Sequence, residues 1–291
     1  MTPPNAASTV RLEMEAGRRN TPGFGWPTIL LLAGLYLAGG FAIWAAMSGH
    51  ISYLSAGIIN TLVLYAMYTP VHEAVHGNIS QRHRGLAWVD FVVGLLGCFP
   101  MWLFYWEHKR QHVVHHARCN HPDDPDLYAK GSFAGWLFLR LPISLINYFN
   151  PVLLYRQCQR FNVPAHHVRY VMAMFTAQAV LWLGLIASGY GTEVLVFWFL
   201  PWWIGNTVML TLFTWTPHHD HRETGRYRDT RESLFPGANV LLLGQNHHLI
   251  HHMMPQVPWY RYDRVFSEIR PYLEQNDVRI EGFWPRQKVR A

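Results

Sequence analysis

Charge and cysteine are both scarce in this chain, and each shortage narrows its class. Lys, Arg, Asp and Glu make up 14% of its 291 residues, where a soluble domain carries about a quarter. With half of all residues apolar, the chain is expected in a membrane, and a mean hydropathy near zero only averages long apolar runs with a polar remainder. Cys98, Cys119 and Cys158 are scattered, odd in number and without a C-x-x-C pair. That spacing argues against a disulfide framework, gives no sign of thiolate-bound metal, and fits a reducing compartment. No haem-attachment motif or dinucleotide fingerprint occurs, so electrons for any redox chemistry must come from an external donor. Residues 1–25 lack a short apolar core followed by a small-residue cleavage site, so the first apolar run is expected as a retained helix rather than a signal peptide, and residues 1–25 as a loose, flexible tail.

Lysine and arginine are missing altogether between Arg19 and Arg82 and between Arg169 and Arg222. Each gap contains two apolar runs, at 28–47 and 51–70 and at 170–189 and 194–216, and runs of roughly 20 residues match a bilayer core. The expected fold is therefore an all-α membrane protein with four transmembrane helices in two hairpins. By the positive-inside rule the turns at 48–50 and 189–192 face outward, while both termini and the segment 77–168 are cytoplasmic. Two further apolar stretches are interrupted, 86–106 by Gly94, Gly97 and Pro100, and 133–155 by Arg140, Pro142, Asn147, Asn150 and Pro151. They are expected as in-plane or re-entrant helices. Beyond Arg222 a cytoplasmic, histidine-rich cap is expected, with a short amphipathic helix near 262–273, and residues 26–291 are read as one domain. The net charge of +6 is assigned to topology and anionic membrane lipids, with no nucleic-acid partner.

What the chain does have is histidine, 18 in all. Positions i, i+3 and i+4 share one helix face, so His72-x3-His76, His112-x2-His115-His116 and His248-x2-His251-His252 can each aim imidazoles at one point. A zinc site closes with four ligands, so this many clustered imidazoles suggest two transition-metal ions, with iron doing oxygen chemistry as the leading candidate. His108, one turn before His112, is either an extra ligand or a supporting group. Asp123, Asp124 and Asp126 either orient imidazoles through their second nitrogen or form a solvated acidic loop, and His121 lies beyond the helical register. At least one of His218, His219 and His221 should ligate, but spacing does not choose among them. The pair His166-His167 precedes a span and reads as interfacial, and His50 and His83 are isolated. His72-Glu73-Ala74-Val75-His76 also satisfies H-E-x-x-H, the zinc protease signature with Glu73 as general base, but that reading leaves the other clusters unexplained. A metal transporter would hold exchangeable ligands near the bilayer midplane, whereas these clusters lie outside the apolar runs.

Three such boxes in order on one side of about four spans resemble the membrane fatty acid desaturase and hydroxylase superfamily, over residues from about Tyr65 to Tyr262. The resemblance implies a non-haem centre of two iron ions, O2 as co-substrate and an external electron donor such as ferredoxin. It implies metal ligation by His72, His76, His112, His115, His116, His218, His248, His251 and His252, with His108, His221, His247 and Asp126 as further candidates. His218 is preferred because the related pattern is Pro-His after the last span. The run Leu243-Gly-Gln-Asn-His-His-Leu-Ile-His251-His252-Met-Met-Pro255-Gln-Val-Pro-Trp259-Tyr260 looks most like bacterial β-carotene hydroxylases, which implies a bacterial inner membrane. His247 and Glu73 depart from the commoner patterns of carotenoid-modifying relatives.

Breaking an unactivated C–H bond is beyond any side-chain acid, base or nucleophile, so a redox metal has to carry it. Hydroxylation and desaturation differ in how the substrate sits over the metals. The lipid-soluble substrate is expected to be a ring-ended carotenoid, with a fatty acyl chain as the alternative. The aromatic stretches 99–106, 136–150 and 198–203 are candidate tunnel walls or ordinary interfacial anchors. Lys109, Arg110, Arg222, Arg226 and Arg228 are positioned either to dock an acidic donor or to meet lipid phosphates.

Overall fold

The computed structural model describes residues 6–81 and 83–285. Residues 1–5 and 286–291, the ends of the expected tail and domain, and Arg82, which closes the first cation-free gap, lie outside the described residues. The fold is mostly helical, with three helices long and apolar enough to cross a membrane, or four if one bent pair counts as a span.

Two of the three are α2 (Trp26–Met47) and α3 (Tyr53–His76). Pro27 suits the first turn of α2, and the Ser52 side chain accepts the Ser55 amide to start α3, satisfying one of the amides a helix start leaves unpaired. The short turn between them lets the two helices pack along each other, with Gly39 close against Asn60 and Val63. The third apolar stretch, Ala165–His218, turns over at Gly189, whose φ of 94° only glycine adopts without strain. The rings of Trp182 and Trp198 stack at 4.1 Å, although a straight helix would hold residues so spaced about 24 Å apart. We call its two arms α8 (Ala165–Leu185) and α9 (residues 191–218).

Between α3 and α8 the interrupted stretches form shorter pieces. Helix α4 (Ala87–Cys98) is 12 residues long, about 18 Å by helical rise and too short to span. Its Gly97 meets Val71 of α3, and its Asp90 carboxylate accepts the amides of Ile79 and Ser80 just past that helix. Helix α5 (Tyr105–Arg118) carries the second histidine cluster. The stretch expected as in-plane or re-entrant is a pair, α6 (Phe133–Asn147) and α7 (Pro151–Arg160), bent by 92°.

The cap holds α10 (His248–Met253) and α11 (Tyr262–Gln275). Two expectations are corrected here. Residues 6–20 are not a loose tail but a helix, α1 (Ala6–Asn20), docked on the cap: Glu13 accepts Arg226 and the Tyr227 hydroxyl, and Glu268 of α11 accepts Arg19 and Asn20. Nor is the chain wholly α, because β1 (Glu232–Ser233) and β2 (Ile280–Glu281) form a two-residue parallel pair. That pairing serves the buried segment leading to α10, whose Glu232 amide needs an acceptor and finds the Arg279 carbonyl at 3.0 Å.

Candidate metal centre

Four separate segments deliver imidazoles to one place. His72 and His76 sit in the last turn of α3, His112, His115 and His116 on α5, His218 at the end of α9, and His248, His251 and His252 on α10. Nitrogen meets nitrogen across these elements: His72 Nε2 lies 3.0 Å from His251 Nε2, and His112 Nε2 lies 2.9 Å from His76 Nε2 and 3.1 Å from His116 Nε2. On the other side His218 Nε2 lies 3.0 Å from His248 Nε2. His252 stacks on His116 and stands edge-on to His115, with centroids 4.4 and 5.0 Å apart.

Those separations suit metal binding better than hydrogen bonding among imidazoles. Two nitrogens bound at about 2.1 Å to one ion at right angles stand about 3.0 Å apart. Two groupings emerge whose candidate ligand atoms lie within 4.8 Å of one another, His72, His76, His112 and His251 in one and His115, Cys119, His218 and His252 in the other. Both ring nitrogens of His252 and Nδ1 of His116 are buried with no hydrogen-bond partner among the described residues. Burial first, and then the neighbouring imidazoles, hold His112, His116, His248, His251 and His252 well below the usual histidine range. Neutral imidazole is the form a metal binds. Orphaned nitrogens and neutral rings at ligand spacing therefore fit a pair of metal ions.

The far nitrogens are held from behind. His115 Nδ1 lies 2.8 Å from Asp124, which also accepts the amides of Asn120 and Asp126. Burial lowers the His115 pKa, but the Asp126 charge and the Asp124 hydrogen bond and charge outweigh it, so the net shift is upward. His251 Nδ1 meets the Tyr262 hydroxyl at 2.9 Å. Gln245 stands 3.5 Å from His72 Nδ1 through its amide nitrogen and 3.4 Å from His248 Nδ1 through its oxygen. The turn that presents it needs Gly244, at φ 79°, where a Cβ would come within 2.5 Å of the Trp259 carbonyl. Outer partners of this kind fix ring orientation and tautomer. Replacing Asp124 with Asn is accordingly expected to lower metal affinity roughly 10- to 100-fold while keeping the loop folded. Competition against a chromophoric chelator measures this, and unchanged affinity would show that the carboxylate is dispensable.

The other candidates are placed differently. His108 stacks 6.0 Å from His112 and its Nε2 is buried without a partner among the described residues. His221 Nδ1 donates to the Arg228 carbonyl at 3.0 Å, and His247 Nδ1 to Glu232 at 2.6 Å; neither belongs to the two groupings. Asp126 lies 3.7 Å from His115 Nδ1 and lines the chamber beside the histidines. His219 stacks on Trp215, His121 is exposed beside Asp123, and His167 stacks on Trp106 at 3.7 Å. Four of the basic residues expected to dock a donor are tied into the fold: Lys109 to the Tyr105 hydroxyl, Arg110 to the Phe161 carbonyl, Arg226 to Glu13 and Arg228 to the Asp277 carbonyl.

Cys119 was passed over in the sequence, although it stands at i+4 from His115, just past the end of α5. Its sulfur lies 3.7 Å from His218 Nδ1, the nitrogen opposite the one facing His248. The thiol is pushed up by burial and by the nearby Asp124, Asp229 and Asp126 charges. The thiol also donates to the Asp229 carbonyl at 3.5 Å, and its sulfur is one of the candidate ligand atoms of the second grouping. Glu73 has a comparable position, with Oε1 3.7 Å from His72 Nδ1 and Oε2 accepting the Trp259 amide. It faces away from the nitrogen cluster.

Next to the histidines is a chamber of about 40 Å³, bounded by His108, His112, His115, Tyr68 and Met209. It shares Leu103, Gln111, Tyr128 and Tyr148 with a larger cavity of about 360 Å³ between α5, α6 and α7. The two cavities therefore adjoin, and the smaller one lies against the histidines.

Comparison with known proteins agrees with this architecture. Residues 48–284 match the family model described as fatty acid desaturase. A chloroplastic omega-3 fatty acid desaturase of Brassica napus is 21% identical over 277 residues, covering 82% of this chain and 67% of the relative. The sn-2 acyl-lipid omega-3 desaturase (ferredoxin) of Arabidopsis thaliana is 21% identical, covering 82% of this chain and 61% of its own length. A beta-carotene ketolase of a Paracoccus strain is 25% identical over 260 residues, covering 80% of this chain and 91% of the relative. The chain thus spans about two thirds of the plant proteins and nearly all of the bacterial one. With its apolar helices and buried histidine cluster, it belongs to the fatty acid desaturase family and is an integral membrane oxidoreductase.

Proposed function

We propose that this protein is a membrane non-haem di-iron oxygenase that oxidises an unactivated C–H bond of a lipid-soluble substrate, with a β-carotene-type ring hydroxylated first and a fatty acyl chain as the second reading. The observation that carries it is the double cluster of imidazole nitrogens at ligand spacing, fed by a chamber from one side. In this reading His72, His76, His112, His115, His116, His218, His248, His251 and His252 hold two iron ions. When bound, the irons supply the reductive activation of O2 that C–H oxidation requires. The chain's own residues do the rest. Asp124, Tyr262 and Gln245 fix the rings, Leu103, Met209 and Leu210 give the chamber its apolar surface among otherwise polar walls, and Tyr128 and Tyr148 line its junction with the larger cavity.

The four apolar arms α2, α3, α8 and α9 are read as four spans in two hairpins, with the histidine cap and both termini cytoplasmic in a bacterial inner membrane. The absence of lysine and arginine from both hairpins supports that orientation. A small acidic electron carrier such as ferredoxin is the proposed donor. The 91% coverage of the ketolase favours the carotenoid reading, and the two plant relatives keep the acyl reading in view.

The zinc protease alternative needs Glu73 beside the metal, and its position behind His72 speaks against that. Glu73→Gln is expected to keep a substantial fraction of oxygen-dependent turnover. Chelation should abolish activity, and ferrous iron but not zinc should restore it, at two irons per chain. Peptide cleavage by a zinc-loaded sample would overturn the proposal. Expression in a β-carotene-accumulating host without its own hydroxylase separates the substrates. Hydroxylated carotenoid supports the ring reading, and altered fatty acids with unchanged carotene transfer the enzyme to acyl chains.

A further inference from the structure

The larger cavity has a lining that a plain hydrocarbon does not match. Its apolar walls include Leu103, Phe104, Leu154 and Phe161, yet Glu107 stands among the lining residues. Glu107 is only 6% exposed, and its Oε1 is buried without a hydrogen-bond partner among the described residues. Burial pushes its carboxyl up to about 7. A buried polar group left unpaired is costly, and a ligand that pairs it is favoured over one that cannot. Water at the outer end can be met by the exposed Asn147, Gln157 and Arg160, but Glu107 lies inward of them on α5.

Its position sets a distance. Glu107, Gln111 and His115 follow one another at i, i+4 and i+8 along one side of α5, so the carboxyl lies on the His115 side of the helix. Between Glu107 and Gln111, which lines both cavities, lie about 6 Å of helical rise, a length comparable to a six-membered ring. A ligand whose end group is bonded to Glu107 would therefore extend about one ring length to Gln111, Tyr128 and Tyr148, where the cavity adjoins the chamber beside the histidines.

We propose that Glu107 hydrogen-bonds a hydroxyl already present on the end group being oxidised, so that this cavity selects a ring-oxygenated substrate over the corresponding hydrocarbon. A hydroxyl both donates and accepts, so it satisfies the carboxyl in either protonation state. This rests on the carotenoid reading above and adds an order to the chemistry. The reaction that supplies the preferred substrate is an earlier oxygenation of the same ring, and this enzyme acts after it.

Binding measured without turnover separates the anchor from the activity. Purified full-length protein in detergent is titrated with β-carotene and with ring-hydroxylated β-carotene, without reductant, and quenching of tryptophan fluorescence by the polyene is followed; Trp102 lines the cavity. The hydroxylated form should bind wild type at least about tenfold more tightly, since a site built to bond a hydroxyl rejects the analogue lacking it. Glu107→Leu should bring the two affinities together, chiefly by weakening the hydroxylated form, and Glu107→Gln should keep part of the preference. Should the leucine variant fail to accumulate, the wild-type ratio and the glutamine variant still decide. Equal affinities in wild type, a preference untouched by Glu107→Leu, or no binding of either polyene would overturn the anchor. Oxidation of both forms at equal affinity removes the anchor and leaves the oxygenase. Selective binding with oxidation of neither keeps the anchor and removes the proposed activity.

Discussion

Replacing His72, His112 or His252 with Ala should abolish oxygen-dependent turnover while the protein still inserts in the membrane. Each lies in a different helix, and each presents its ring to imidazoles from another element: His72 to His251, His112 to His76 and His116, His252 to His116 and His218. Loss of a merely supporting partner commonly costs 10- to 100-fold in metal affinity or activity, so loss of a ligand should cost at least about 100-fold and reduce the iron bound per chain. His50→Ala is the control, because His50 is exposed in the turn between α2 and α3 and packs only near Trp44. Iron content and turnover are measured on membranes with matched protein levels. Full iron occupancy with normal turnover in all three variants would defeat the ligand assignment.

The parts of this site that could be read from the sequence are those where ligands share a helix. Spacing alone groups His72 with His76, His112 with His115 and His116, and His248 with His251 and His252, because 3.6 residues per turn fixes which side chains align. Spacing does not show that His76 meets His112 or that His218 meets His248, since those contacts depend on four segments returning to one place. For the same reason it left His218, His219 and His221 undivided. In the structure His218 ends α9 facing His248, while His221 turns to the Arg228 carbonyl.

Polar segments were harder to read than apolar ones. The apolar runs announce α2, α3, α8 and α9, but α1 has no comparable stripe and docks through Glu13, Arg19 and Asn20, whose partners lie more than 200 residues away in sequence. Cys119 was discounted for lacking a second cysteine, although its i+4 relation to His115 was visible. Nothing local marks Glu232 or Tyr262 as supports for histidines, because each acts through the path of the chain rather than through a motif.

Glu232 should prove the most sensitive of these supports. It is fully buried, its Oε2 accepts His247 Nδ1 at 2.6 Å and its Oε1 accepts the Ile250 amide at 3.0 Å. Helix α10 has six residues, far too few to hold its shape unaided, so the direction in which it aims His248, His251 and His252 depends on such anchors. In Glu232→Ala both donors lose their acceptor inside the protein, at about 1–3 kcal/mol each, and three rings lose their common support. Iron affinity should fall roughly 10- to 100-fold, and the thermal midpoint of the detergent-solubilised protein should drop with it. Glu232→Gln keeps one carbonyl acceptor and should lie between the two. If the alanine variant instead binds two irons with wild-type affinity, α10 is held by its packing against α11 alone, and the carboxylate has no part in shaping the centre.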